Sequence, residues 1–185
     1  MKKFKKVIGL ALGALAVGVI VLSLVAEREI LITSTEQIQG TRQEVFNQLS
    51  RMKNFPNWSP YRYQDPQQKF SFSGDDGKVG GTFHWEGVKE KSRGKQTLAA
   101  TNGKDQLTIK CDIMVPFESH PTFAYELKEK GGSIHVVQKF SVNMPFPSNI
   151  FAKLFGVKPY LTQTNKRGLS LLKAYIEGLK NGSIN

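Results

Sequence analysis

The chain has 185 residues, 39% hydrophobic and 22% charged, which excludes a disordered composition and suits one folded domain with a small addition. Its formal net charge is +11, yet Lys and Arg are scattered without a run of five like charges or a nucleic-acid-binding motif. That basicity reads as solubility, and nucleic acid is not an expected partner. The one cysteine, Cys111, excludes a disulfide framework within the chain.

Four of the positive charges, Lys2, Lys3, Lys5 and Lys6, precede an uncharged stretch from Val7 to Ala26. Twenty helical residues at about 1.5 Å rise span roughly 30 Å, the thickness of a bilayer's hydrocarbon core. The stretch is longer than the apolar region of a cleaved signal peptide, and no cysteine follows it to accept a lipid. Residues 1–27 are therefore expected to form a signal anchor with one transmembrane helix. The charge asymmetry puts the N-terminus in the cytoplasm and the C-terminal part on the extracytoplasmic side. Gly9 and Gly13 form a small-residue spacing that would allow weak self-association.

Alternation of Ile30, Ile32 and Ile38 against Thr33, Thr35 and Gln37 predicts a strand directly after this segment. Thr41 and Glu44 form a capping box ahead of Val45, Phe46, Leu49 and Met52, which fall at helical spacing. That short helix ends near Phe55-Pro56. The loop that follows, Lys53 to Tyr61, carries Phe55, Trp58 and Tyr61 between two prolines. Prolines forbid a regular helix or a central strand there.

From Lys69 to Asn143 the chain reads as about six strands. Phe70 pairs in parity with Phe72, and Phe83 with Trp85. Asn102-Gly103 is a strong hairpin signal. Leu107, Ile109, Cys111 and Ile113 share one face, which reads Cys111 as a small buried hydrophobe. Phe123, Tyr125 and Leu127 share a face in the next strand, and Ile134, Val136, Phe140 and Val142 in the last. One apolar and one polar face describe an antiparallel sheet open to water on one side. Ser148 is read as a helix cap. Leu161, Gly168, Leu172, Tyr175, Ile176 and Leu179 form the apolar stripe of a long closing helix, with Gly156 and Pro159 breaking off an initial turn.

The order of strand, short helix, six strands and long helix resembles the START-like helix-grip fold. "VFNQLSRMKNFPNWSPY", "GGTFHWEG", "MPFPSNIFAKLF" and "NKRGLSLLKAYIEG" resemble, in order and spacing, segments of the polyketide cyclase/dehydrase and lipid-transport family within the SRPBCC superfamily. The likeness covers about Glu29 to Gly178. Phe55 stands where tryptophan is frequent, and the N-terminal anchor is an addition. The resemblance implies an α+β domain at residues 28–181: a curved antiparallel sheet gripping the C-terminal helix around an apolar cavity. A short tail follows at 182–185. It also implies a hydrophobic small molecule or lipid as ligand, with a cyclase or hydrolase as the alternative activity. A third reading is an envelope interaction protein with a filled interior.

Strand parity and the helix stripe nominate Phe83, Trp85, Leu107, Ile109, Phe123, Tyr125, Phe140, Leu172 and Ile176 as cavity walls. The same residues would equally form a filled core; the resemblance favours the cavity. Trp58 and Tyr61 are expected either to close the cavity mouth or to plug and pin their loop. No catalytic residue is assigned, although Tyr125 and His120 are the groups an enzyme would have to use. Glu86 takes the outward parity, as do His84 and His135. No histidine spacing suggests a metal site, and no cofactor motif occurs.

Overall fold

The computed structural model describes residues 2–89 and 91–180. The element order is α1 (Lys2–Val25), β1 (Glu29–Ile38), α2 (Arg42–Ser50), a 3-10 turn (Met52–Asn57), α3 (Pro60–Gln64), β2 (Lys69–Ser73), β3 (Thr82–Glu86), β4 (Arg93–Thr101), β5 (Gln106–Val115), β6 (Thr122–Lys130), β7 (Ser133–Asn143), α4 (Ser148–Leu154) and α5 (Val157–Lys180). The seven strands form one antiparallel sheet in the order β1-β7-β6-β5-β4-β3-β2. The expected α+β architecture of a sheet with a long C-terminal helix is present.

Alternation sets which face is buried. In β7, Ile134, Val136, Phe140 and Val142 are buried, while the residues between them are wholly or partly exposed apart from Gln138 on the buried parity. In β1, Ile30, Ile32 and Ile38 point inward. Helix α5 lies over that face. Its C-terminal half is held from both sides: Lys173 Nζ donates to the Gln37 carbonyl, and Glu177 Oε1 accepts from the Gln39 amide at 2.9 Å. Leu169, Leu172 and Ile176 of α5 are buried in the main core cluster.

Helix α2 closes this end of the grip. Thr41 caps it through its side chain on the Glu44 amide at 3.2 Å, and Glu44 returns a bond to the Thr41 amide at 2.7 Å. Val45, Phe46 and Leu49 then enter the same core cluster as Leu127, Ile134, Val136, Leu172 and Ile176. One end of the sheet–helix interface is therefore solidly filled.

Two local expectations are corrected. Ser148 is the first helical residue and not the cap; the cap position is Pro147, which makes no side-chain bond. The break before α5 falls at Gly156, whose φ of +64° favours glycine, and Pro159 sits in the first turn of α5, where its missing N–H is tolerated.

The membrane expectation is also corrected. Among the described residues, no helix is long and apolar enough to cross a membrane. The transmembrane helix from Val7 to Ala26, and the placement of the two ends on opposite sides of a bilayer, fall with it. The surroundings of Gly9 lie outside the described residues; a Cβ added at Gly13 would meet nothing within 4 Å beyond its own helix, and no self-association is shown. The expected tail at 182–185 also lies outside them. The end of α1 is tied to the domain: Asn149 Nδ2 donates to the Ala26 carbonyl at 3.3 Å, and Lys158 pairs with Glu27 at 2.7 Å.

Replacing Thr41 by Ala removes the cap of α2 and should cost about 1 kcal/mol of stability. A denaturant midpoint lowered at unchanged slope is the expected result.

Candidate ligand cavity

The far end of the grip is hollow. A cavity of about 370 Å³ lies between the later half of β5, the start of β6, the end of β7 and the beginning of α5. Cys111, Ile113 and Val115 line it from β5, Phe123 from β6, Phe140 and Val142 from β7, and Val157, Tyr160 and Leu161 from α5. Phe55, Ser59 and Tyr61 reach it from the proline-bracketed loop and α3, and Phe83 and Trp85 from β3. Small-ligand sites run from about 300 to 1,000 Å³ with mainly apolar walls.

Trp85 is positioned by a glycine. It faces Gly94 across the β3–β4 pair. A Cβ at Gly94 would stand 2.5 Å from the Trp85 ring and would also strike the Asp112 carbonyl oxygen. The indole therefore lies flat across β4, with Phe83 stacked beside it at 6.1 Å. Asp65 holds the neighbouring β3–β4 loop. Its carboxylate is buried and accepts from the Val88 and Lys89 amides at 2.8 and 3.0 Å.

Of the residues nominated from sequence, Tyr61, Phe83, Trp85, Phe123 and Phe140 line this cavity. Trp58, Ile109 and Tyr125 do not. They border, with Tyr61 and Phe123, a separate chamber of about 30 Å³ beneath it. Leu107, Leu172 and Ile176 line neither space and are buried in the core that α2 closes. Parity assigns these side chains to the inner face correctly. It does not tell the filled end of the grip from the hollow one.

The loop question resolves differently for its two aromatics. Trp58 is 3% exposed, packs edge-on against Phe55 at 4.9 Å and donates its Nε1–H to the Gln48 carbonyl at 3.4 Å, so it plugs and pins the loop. Tyr61 is 37% exposed, and it borders both spaces. The protein packed around its phenol raises that group's pKa above the ordinary range, by desolvation first.

Electrostatics inside the cavity are muted. Among the described residues, its lining contains no Asp, Glu, His, Lys or Arg; Ser and Gln supply most of its polar groups. Burial pushes the Cys111 thiol up to about 12, with the neighbouring Asp112 adding to the effect, so the group is a neutral thiol at physiological pH. Tyr125 is likewise held neutral by burial, with its hydroxyl accepting from Gln138 Nε2 at 2.8 Å.

His120 is not a cavity group. It is exposed on the outer side, with Nδ1 2.8 Å from Asp112 Oδ1 and Nε2 3.4 Å from Glu118 Oε1. The Asp112 contact raises the His120 pKa and lowers that of Asp112. Glu86 is exposed, and His84 faces Ser73 Oγ at 2.8 Å. Among the described residues, no group of three or more His, Cys, Asp or Glu gathers as a metal cluster.

Sequence reasoning missed a second set of residues. Gln96, Gln138, Thr164 and Asn165 are buried and border the small chamber. The available signal was a neutral polar residue interrupting an apolar stripe. Gln138 stands between Val136 and Phe140 in parity, and Asn165 between Leu161 and Gly168 at helical spacing.

No family model and no curated relative matches the chain. Solved structures do. Norcoclaurine synthase from Thalictrum flavum, solved with dopamine and hydroxybenzaldehyde, is similar at TM-score 0.61 and 14% identity, over 87% of this chain and 91% of that one. Ara h 8.0201 is similar at TM-score 0.59 and 10% identity, over 81% and 99%. The di-domain ARO/CYC StfQ from the steffimycin biosynthetic pathway is similar at TM-score 0.60 and 10% identity, over 83% of this chain and 52% of that one. At these identities the likeness shows the fold, which is the helix-grip fold.

Two outcomes test this geometry. Gly94→Ala should tilt Trp85 off β4 and weaken binding of a neutral apolar fluorophore such as N-phenyl-1-naphthylamine by roughly tenfold, about one aromatic contact. Unchanged affinity would mean that Trp85 is not a wall of the ligand space. Separately, His120 should titrate above its ordinary value of 6.5, and Asp112→Asn should bring it back down, as followed by ring-proton NMR. The stabilisation from a raised His pKa is complete below the unfolded value and lost as pH rises through the folded one; that from the lowered Asp112 is lost as pH falls through its own folded value. The pair therefore holds the β5–β6 loop best between those two pH values.

Proposed function

We propose that this protein is a binding module that holds a hydrophobic small molecule or lipid-like compound in the cavity at the hollow end of the grip. The observation that carries this reading is the combination of about 370 Å³ of space with a largely aromatic and aliphatic wall. A well-packed protein interior does not leave such a volume unfilled. The space sits beside a core that is filled, so the emptiness is confined to one end. Neighbours in fold support small organic molecules as the ligand class: norcoclaurine synthase was solved with dopamine and hydroxybenzaldehyde, and the ARO/CYC protein StfQ comes from the steffimycin biosynthetic pathway.

The enzymatic alternative has less support. General acid–base catalysis needs a group whose pKa lies near the working pH. Burial displaces Tyr61, Tyr125 and Cys111 upward, away from neutrality, and His120 is outside the cavity.

Native mass spectrometry of the full chain, incubated with an organic extract of its host, tests the reading. A discrete added mass is expected. Trp85→Ala should lower retention roughly tenfold to a hundredfold, since a large apolar contact is worth about 1.5–3 kcal/mol. Leu172→Ala should instead cost about 2–5 kcal/mol of stability, because it opens a void in the filled end. A clean unliganded mass, with no uptake by the wild type, would overturn the carrier reading.

A further inference from the structure

The chamber of about 30 Å³ lies under the main cavity and shares Phe55, Tyr61, Gln96 and Phe123 with it as common wall. Its wall is mainly apolar, like that of the cavity, but buried polar side chains converge on a much smaller space. Buried hydrogen-bonding side chains reach it from both layers of the fold: Gln96 of β4, Tyr125 of β6 and Gln138 of β7 from the sheet, and Thr164 and Asn165 from α5. Gln138 is 4% exposed and spends its Nε2 on the Tyr125 hydroxyl, leaving Oε1 buried without a partner. Asn165 is 7% exposed, and its Nδ2 is buried without a partner. A buried polar atom left unpaired is costly, and few persist in folded proteins without a reason. Here an unpaired acceptor and an unpaired donor border one small space, from opposite layers of the grip.

We propose that this chamber seats the polar end of the ligand, and that this end is a neutral hydroxyl, so the preferred ligand is an aromatic or aliphatic alcohol. The proposal rests on the cavity reading above and adds the ligand's chemical class to it. A hydroxyl donates one hydrogen bond and accepts others, so it answers Gln138 Oε1 and Asn165 Nδ2 together. It also serves the pair with both amides turned, since one donor and one acceptor then still face it. The volume suffices for a group of water size, since about 10–15 Å³ admits a water. Charge argues against an acid: no described Lys, Arg or His borders the chamber, and a carboxylate there would be desolvated without a counter-ion. The apolar body of the ligand would lie above, against Trp85 and Phe140.

The test uses the full chain and an isosteric pair, 2-naphthol and 2-methylnaphthalene, with 2-naphthoate as the anion. Affinities are read by displacement of N-phenyl-1-naphthylamine. The wild type should bind 2-naphthol at least as tightly as the more apolar methyl compound, and should reject 2-naphthoate. Asn165→Leu, and separately the double variant Tyr125→Phe with Gln138→Met, should swing the ratio roughly tenfold toward 2-methylnaphthalene, the effect of about one buried hydrogen bond. The double variant removes both partners of the existing bond, so it leaves no new unpaired phenol. Should a variant fail to fold, side-chain amide NMR of the wild type decides: the Gln138 and Asn165 NH₂ resonances should shift with 2-naphthol and not with 2-methylnaphthalene. An unchanged ratio, or unmoved amides, with both probes bound would assign the chamber to water and overturn this proposal while the cavity reading stands. If the wild type binds neither probe, the cavity reading falls and this proposal falls with it.

Discussion

The structure depends on how α5 is held over the sheet. Its C-terminal half is fixed through Lys173 to the Gln37 carbonyl, through Glu177 to the Gln39 amide, and by Leu169, Leu172 and Ile176 in the core. Its N-terminal half is tied by the Lys158–Glu27 pair, with Val157 and Leu161 packed against a smaller cluster of Ile30, Ile32, Phe140, Val142 and Ala152 at the edge of the cavity. The cavity opens where α5 and the sheet diverge beside that smaller cluster, and the proline-bracketed loop supplies the rest of its wall through Phe55, Ser59 and Tyr61. The filled half supplies stability by burial, and on the proposed reading the hollow half leaves that burial to a ligand.

Helix α2 decides which half is filled. Its capping box starts a helix of only nine residues, which would be marginal in isolation. Val45, Phe46 and Leu49 stabilise it by closing the end of the sheet where β6 turns into β7, and Arg42 reaches Glu129 at 3.0 Å across that turn. The 3-10 turn and the proline-bracketed loop then carry the chain from the filled end to the hollow one. Trp58 is used up in pinning that path, and Tyr61 emerges beyond it as a cavity wall. Two neighbouring aromatics in one loop thus have different tasks because the layer boundary passes between them.

That boundary carries buried polar side chains among apolar ones. Gln96, Tyr125, Gln138, Thr164 and Asn165, from three strands and α5, lie between core and cavity. Apolar side chains in the same places would extend the core and shrink the space above it. Hydrogen-bonding groups resist that collapse, because water or a ligand hydroxyl serves them better than a methyl does. On the proposed reading, the same groups give the cavity floor a direction and orient a bound molecule by its polar end.

The sequence by itself determined the elements and their faces. Period-two alternation in β5, β6 and β7 named the inner side chains, the Thr41–Glu44 box named the start of α2, and Asn102-Gly103 named a hairpin. These are local signals, carried by spacing along one segment. The order of elements, with the motifs quoted, sufficed for the helix-grip architecture. Tertiary structure alone decided the division of the grip into two ends. Leu107 and Cys111 share one face of one strand, yet the first is core and the second is cavity wall, since the difference lies in what stands opposite each. The pairing of Gln138 with Tyr125, and the nearness of both to Asn165, likewise required strands and helix to be assembled. A stripe interrupted by an amide was visible in each element; that the interruptions fall at one level was not, because level is a property of packing and not of periodicity.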